Sequence, residues 1–188
     1  MKTFSYLLAL SILFFSCSND DEDTTTPEEV VVSEQQIATT WDLTAYEFVQ
    51  ENGSVTTAGI SLPLTVTSNG TDFDFSYTLS SDPNLSESTG SFTVQSSASA
   101  GPQTFPIEDR VISTNGQVIP GTWELSEDNM LEITEGGDVT TFEIIKFTET
   151  TMQLKSMPVS TEDFDLEDIV DVGVEVALEG YYLFTFMK

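Results

Sequence analysis

Phe73-Asp74-Phe75-Ser76-Tyr77-Thr78-Leu79 alternates large apolar and polar side chains without a break. A period of two puts Phe73, Phe75, Tyr77 and Leu79 on one face of an extended chain, whereas a helix would scatter them. The stretch predicts a β-strand with one buried face. Just upstream, Leu62, Leu64 and Val66 alternate with polar partners in the same way. Asn69-Gly70 stands between the two runs as a hairpin signal, and Asn52-Gly53 is a second one further back. Trp41, Leu43, Ala45, Phe48 and Val49 alternate imperfectly, as a bulged first strand does. Downstream, Asp82-Pro83-Asn84 ends the strand, Ser91 to Gln95 forms another, and Ser96 to Pro106 reads as a loop of small residues.

The second half keeps the rhythm. Trp123 and Leu125 alternate, Glu127-Asp128-Asn129 turns, Leu131 and Ile133 follow, and Gly136-Gly137 turns again. Val139 to Phe147 forms a long strand, with Met152 to Lys155 another. Val174, Val176, Leu178, Tyr182, Phe184 and Phe186 share one face of a last strand. Helical spacing is confined to Ser33 to Ala38, a short turn, and to Thr161 to Val170, where Phe164, Ile169 and Val170 would face inward behind a Thr161 cap. About eight to ten short strands joined by tight turns predict an all-β antiparallel meander closed into a β-barrel, because closure removes free edges. A β-sandwich is the alternative.

The N-terminus predicts the compartment. Lys2 precedes an apolar run from Phe4 to Phe15. That run is about twelve residues, against the roughly twenty that a membrane-spanning helix needs. It fits the h-region of a secretory signal and ends at Ser16-Cys17. Acidic sequence, Asp20-Asp21-Glu22-Asp23, follows at once. Leu13-Phe14-Phe15-Ser16-Cys17 and the polar stretch after it resemble a bacterial lipoprotein signal of the loose Bacteroidetes type. The resemblance implies cleavage before Cys17, acylation of that cysteine, an outer-membrane partner through the lipid anchor, and outward display by the acidic cluster, with a periplasm-facing anchor the alternative. Residues 1–16 are then the signal peptide, 17–36 an acidic flexible tether, and 37–188 the β-domain. Cys17 is the only cysteine, so a disulfide within the chain is excluded.

Composition excludes whole classes of function. The 188-residue chain carries 32 acidic against 5 basic side chains, a formal charge of −27. Nucleic-acid binding requires a basic surface, so it is excluded. Histidine is absent, which removes Ser-His and Cys-His catalysis and the commonest zinc ligands. A carboxylate pair has no specificity among 32 acids, and no enzyme activity or cofactor is expected. Asp163, Asp165, Glu167, Asp168 and Asp171 resemble a calcium loop in composition only. Asp168 stands where an EF-hand needs glycine and Val174 where it needs glutamate, so a solvated acidic face is preferred and no metal site is assigned.

Gly121-Thr122-Trp123-Glu124-Leu125, Met130-Leu131-Glu132-Ile133, Phe142-Glu143-Ile144-Ile145 and Met152-Gln153-Leu154 resemble the second half of lipocalin-like domains of Bacteroidetes lipoproteins. Thr40-Trp41-Asp42-Leu43 resembles their first strand, and Tyr181 to Lys188 their last. The resemblance implies a lipocalin-like β-barrel holding a small apolar ligand in its mouth. Lipocalins carry Gly-x-Trp on the first strand and a late arginine over that tryptophan. Here the first strand reads Thr39-Thr40-Trp41, Gly-x-Trp falls at Gly121 to Trp123, and the sole arginine, Arg110, lies mid-chain.

Trp41 and Trp123 are candidates to line a ligand cavity, with core plugs the preferred reading. Phe73, Phe75 and Tyr77, with Tyr182, Phe184 and Phe186, form either an apolar pocket or the core itself. Two other functions compete with ligand binding. One is an accessory surface lipoprotein binding glycan or protein through an exposed Tyr46 or Tyr181; the other is a structural lipoprotein without ligand.

Overall fold

The computed structural model describes residues 32–161 and 174–188. The signal, Cys17, most of the tether, the helix expected after Thr161 and the acidic stretch from Asp163 lie outside the described residues.

A single helical turn, α1 (Glu34–Ile37), precedes ten strands: β1 (Thr40–Thr57), β2 (Ile60–Ser80), β3 (Leu85–Ala100), β4 (Gln103–Ser113), β5 (Ile119–Leu125), β6 (Met130–Glu135), β7 (Asp138–Phe147), β8 (Thr151–Ser156), β9 (Val159–Ser160) and β10 (Val174–Met187). Each pairing is antiparallel. Hydrogen bonding runs β1-β2-β3-β5-β6-β7-β8-β10 and returns from β10 to β1, closing a ring of eight strands. The expected all-β antiparallel meander is therefore the fold.

The ring is closed at one end only. The first half of β3, Leu85–Ser88, pairs with β5, and the second half, Ser91–Ala100, pairs with β4. So β4 and β5 act as two lengths of one wall, parted at residues 114–118. Beyond that break the sheet opens out as β9-β10-β1-β2-β3-β4. Two apolar clusters follow this division. Trp41, Leu43, Leu79, Phe92, Trp123, Leu131 and their neighbours fill the ring. Phe48, Leu64, Val66, Ala98 and Leu178 form a second cluster on the open extension.

Three expectations about local structure are corrected. Asn52-Gly53 does not turn the chain but lies inside β1, and Asn69-Gly70 lies inside β2. The actual hairpin falls at Ala58-Gly59, whose φ values of 49° and 79° suit a type I′ turn. A bulge stands just before Gly53 instead: β1 skips Glu51 against β10, between Gln50 and Asn52. The Gln50 amide patches the β2 side, donating to the Leu64 carbonyl at 2.7 Å and accepting from the Val66 N–H at 2.6 Å. A Cβ on Gly53 would collide with both the Gln50 amide and the Leu64 carbonyl. Third, the small-residue stretch from Ser96 is strand, turning only at Gly101-Pro102. Serine and threonine hydroxyls bond across it, as in Ser68 to Ser96 at 2.7 Å and Thr67 to Ser97 at 2.9 Å.

The closed end is plugged by the N-terminal turn. Ile37 and Trp41 are wholly buried, and the Trp41 indole N–H donates to the Ile37 carbonyl at 2.9 Å. Val32 packs against the same core, its N–H donating to Asn129 Oδ1 at 3.3 Å. The Lys188 ammonium lies 4.6 Å from the centroid of the Trp41 ring. Among the described residues, no helix is long and apolar enough to cross a membrane, which says nothing of strands.

Candidate functional site

The structure brings most of the sequence-derived candidates together, packed on one another. Phe75 meets Tyr77 at 5.2 Å and Phe92 at 5.9 Å between ring centroids, and Phe73 meets Phe92 at 6.1 Å. Tyr77 reaches Phe186 at 5.9 Å, while Phe184 sits 5.4 Å from Phe142 and 5.1 Å from Tyr46. Tyr46 stacks on Tyr182 at 5.3 Å. These rings occupy the middle of the molecule, in the edge-on and stacked arrangements that aromatic quadrupoles favour. Trp41 and Trp123 stand apart at the closed end. Trp123 is buried, and its indole N–H donates to the Ser80 carbonyl at 2.9 Å. Tyr46 points inward and makes no exposed platform: burial, then Tyr182, push its phenol far above the ordinary range. Tyr181 carries Lys155 over its ring at 4.6 Å.

Among the described residues, clefts open through the wall at two places where strands part. The larger, about 560 Å³, lies where β1 and β2 part company. Asp42 pairs with Ser76, but the next partners are Glu47 and Asn69. Its rim is formed by Asp42, Thr44, Asp74 and Ser76 over Phe73 and Phe75. The smaller, about 350 Å³, lies at the break between β4 and β5. Phe75, Tyr77, Ile112 and Ile119 form its apolar wall, Ser88 and Glu135 its polar side, and Thr114, Asn115 and Gln117 its mouth. Its size falls at the lower end of the ~300–1,000 Å³ typical of small-molecule sites.

The smaller cleft has the more specific chemistry. Leu131, Ile133 and Glu135 alternate along β6 and so share its inward face. An acid at the third position is costly unless something offsets its desolvation. Glu135 lies opposite Gly121, which in turn lies opposite Ser86. With no side chain on Gly121, the glutamate reaches across β5 to β3. A Cβ there would come within 2.6 Å of Ser86 Oγ and 2.7 Å of Glu135 Cγ, and would strike the Thr134 carbonyl. Ser88 Oγ donates to Glu135 Oε2 at 3.0 Å. Glu135 Oε1 and Ser86 Oγ are buried without a hydrogen-bond partner among the described residues. Burial raises the Glu135 carboxyl above its usual range, partly opposed by the Ser88 hydrogen bond. Burial and the nearby Glu135 raise the Tyr77 phenol as well.

Sequence reasoning reached Phe75 and Tyr77 but missed Glu135, Ser86, Ser88, Ile112 and Gly121. A signal for Glu135 was present in the spacing Leu131-x-Ile133-x-Glu135, which places an acid in the row of core residues. Ser86 and Ser88 alternate in the same way on β3. Their meeting with Glu135 depends on strand order, which the spacing alone does not give. Among the described residues, no group of 3 or more His, Cys, Asp or Glu is placed to hold a metal.

No protein-family model, curated protein or solved structure matches this chain.

Proposed function

We propose that the chain is a lipid-anchored surface lipoprotein of the outer membrane whose lipocalin-like β-domain binds a small amphipathic molecule in the cleft between Tyr77 and Glu135. The observation that carries the binding reading is the buried Glu135 Oε1, without a partner, on the polar side of a cleft otherwise walled by Phe75, Tyr77 and Ile112. A buried acceptor left unpaired costs about 1–3 kcal/mol. A turn of the Glu135 side chain toward the cleft would let a ligand donor recover the cost, and the apolar wall takes the rest of the molecule. The reading is one of binding: the cleft combines a recognition group with an apolar wall. The ligand sits at the wall of the ring, because the aromatic residues fill its centre.

The lipocalin-like reading draws support from Lys188. Where lipocalins carry a late arginine over the first-strand tryptophan, this chain has the Lys188 ammonium 4.6 Å from the centroid of the Trp41 ring. Anchoring rests on the Ser16-Cys17 junction and the acidic run that follows. In cells fed an alkyne-tagged fatty acid, the wild-type chain is expected to incorporate the label and Cys17→Ser to lose it entirely. Equal labelling of both would refute anchoring at Cys17.

Ligand binding is tested by fluorescence titration of the full chain carrying Cys17→Ser with N-phenyl-1-naphthylamine, an uncharged apolar probe. Saturation at one site per chain is expected, with affinity reduced at least tenfold by Ile112→Asn at the cleft wall. Absence of saturable binding, or indifference to Ile112→Asn, would refute the cleft as the site.

A further inference from the structure

We propose that the preferred ligand of the cleft is an organic cation: an ammonium group bound at Glu135, carried on an apolar or aromatic body lying against Phe75, Tyr77 and Ile112. The inference rests on the reading of the cleft as a binding site and adds the charge of what it takes. Among the described residues the basic side chains are Arg110, Lys146, Lys155 and Lys188. None of them lines this cleft. Lys155 pairs with Glu143 at 3.7 Å, and Lys188 covers Trp41. Among the described residues, then, a carboxylate oxygen is buried beside a cleft that no basic side chain lines.

The donor inventory points the same way. Glu135 Oε2 is bound by Ser88, and Oε1 is left as an acceptor. Ser86 Oγ, also without a partner, stands on the neighbouring strand, on the far side of Gly121. An ammonium carries three donors and a full positive charge, so it satisfies the carboxylate through a charge-assisted hydrogen bond. Tyr77 and Phe75 offer aromatic rings to the same cation or to an aromatic body. A metal ion fits poorly, since hard cations need about six or more oxygen ligands and, among the described residues, one carboxylate lines the cleft. An anionic ligand meets the same carboxylate with the wrong sign. The long-range field of a chain with net charge −27 also draws cations toward the surface, so the test must separate that field from Glu135.

The experiment uses three probes of similar size: 2-phenylethylamine, 2-phenylethanol and phenylacetate. Their affinities are measured by calorimetry on the full Cys17→Ser chain and on the same chain with Glu135→Gln, with circular dichroism confirming that both fold. The amine is expected to bind at least tenfold more tightly than the alcohol, and phenylacetate not at all. Glu135→Gln should erase the preference for the amine, bringing its affinity to within twofold of the alcohol's on the same variant. Ser88→Ala, which frees the second carboxylate oxygen, should preserve the preference. Equal binding of amine and alcohol at the cleft would overturn the cation proposal and leave the amphipathic site standing. Retention of the preference in Glu135→Gln would assign it to the overall charge and likewise overturn the proposal. Failure of all three probes, together with N-phenyl-1-naphthylamine, would remove the cleft as a site altogether.

Discussion

Glu135 owes its position to a residue that has no side chain. Gly121 lies between it and Ser86 on adjacent strands, and any Cβ there would strike the Thr134 carbonyl. The cost of this arrangement is electrostatic and has a definite sign. Burial holds the Glu135 carboxyl above its usual range, so the folded chain keeps this proton at pH values where the unfolded chain has released it. The unfolded state then binds fewer protons, and stability falls as pH rises through the interval above about 4.5. The contribution is complete below that interval and is lost above the folded-state value. Glu135→Gln is expected to remove this slope, so its melting temperature should exceed that of wild type at pH 7 and match it at pH 4. Thermal unfolding of both chains across that range checks the difference, and the other acids cancel in the comparison. Identical pH profiles would show that Glu135 is not desolvated.

At the scale of the element, β1 and β2 are each a single long strand where the residue pattern suggested two strands around an Asn-Gly turn. The spacing could not show this, because Asn-Gly marks a bulge as readily as a turn. What decides between them is a contact across the strand pair: Gln50 bridges the Leu64 carbonyl and the Val66 N–H and so replaces the missing ladder bonds beside the bulge. Gln50→Ala should leave both backbone groups unpaired and cost about 1–3 kcal/mol. Urea unfolding should show the midpoint falling with no change in slope. A loss below about 0.5 kcal/mol would mean water serves the two groups as well as the glutamine does. By contrast, the imperfect alternation of Trp41, Leu43, Ala45 and Phe48 was legible as a bulged strand. The ladder does skip a residue between Leu43 and Ala45, turning Tyr46 and Phe48 inward after Trp41 and Leu43. The turn at Gly136-Gly137 was equally plain, since its neighbours Glu135 and Asp138 pair directly.

For the whole molecule, the antiparallel meander could be read from alternation, but its closure could not. Closure depends on Leu43 facing Phe186 and on Lys188 covering Trp41, contacts between the two ends of the domain. The aromatic residues named from sequence do gather in one place, yet they fill the interior, and the openings lie in the wall where strands part. Ligand binding is therefore expected at the β4–β5 break rather than along the axis of the ring. The most direct measurement is a methyl NMR titration of the isoleucine-labelled Cys17→Ser chain with 2-phenylethylamine. Saturating shifts are expected at Ile112 and Ile119, which line the cleft, with none at Ile60 and Ile145 on the exterior. Shifts spread evenly over all four methyls, or a spectrum that never moves, would contradict a binding site beside Glu135.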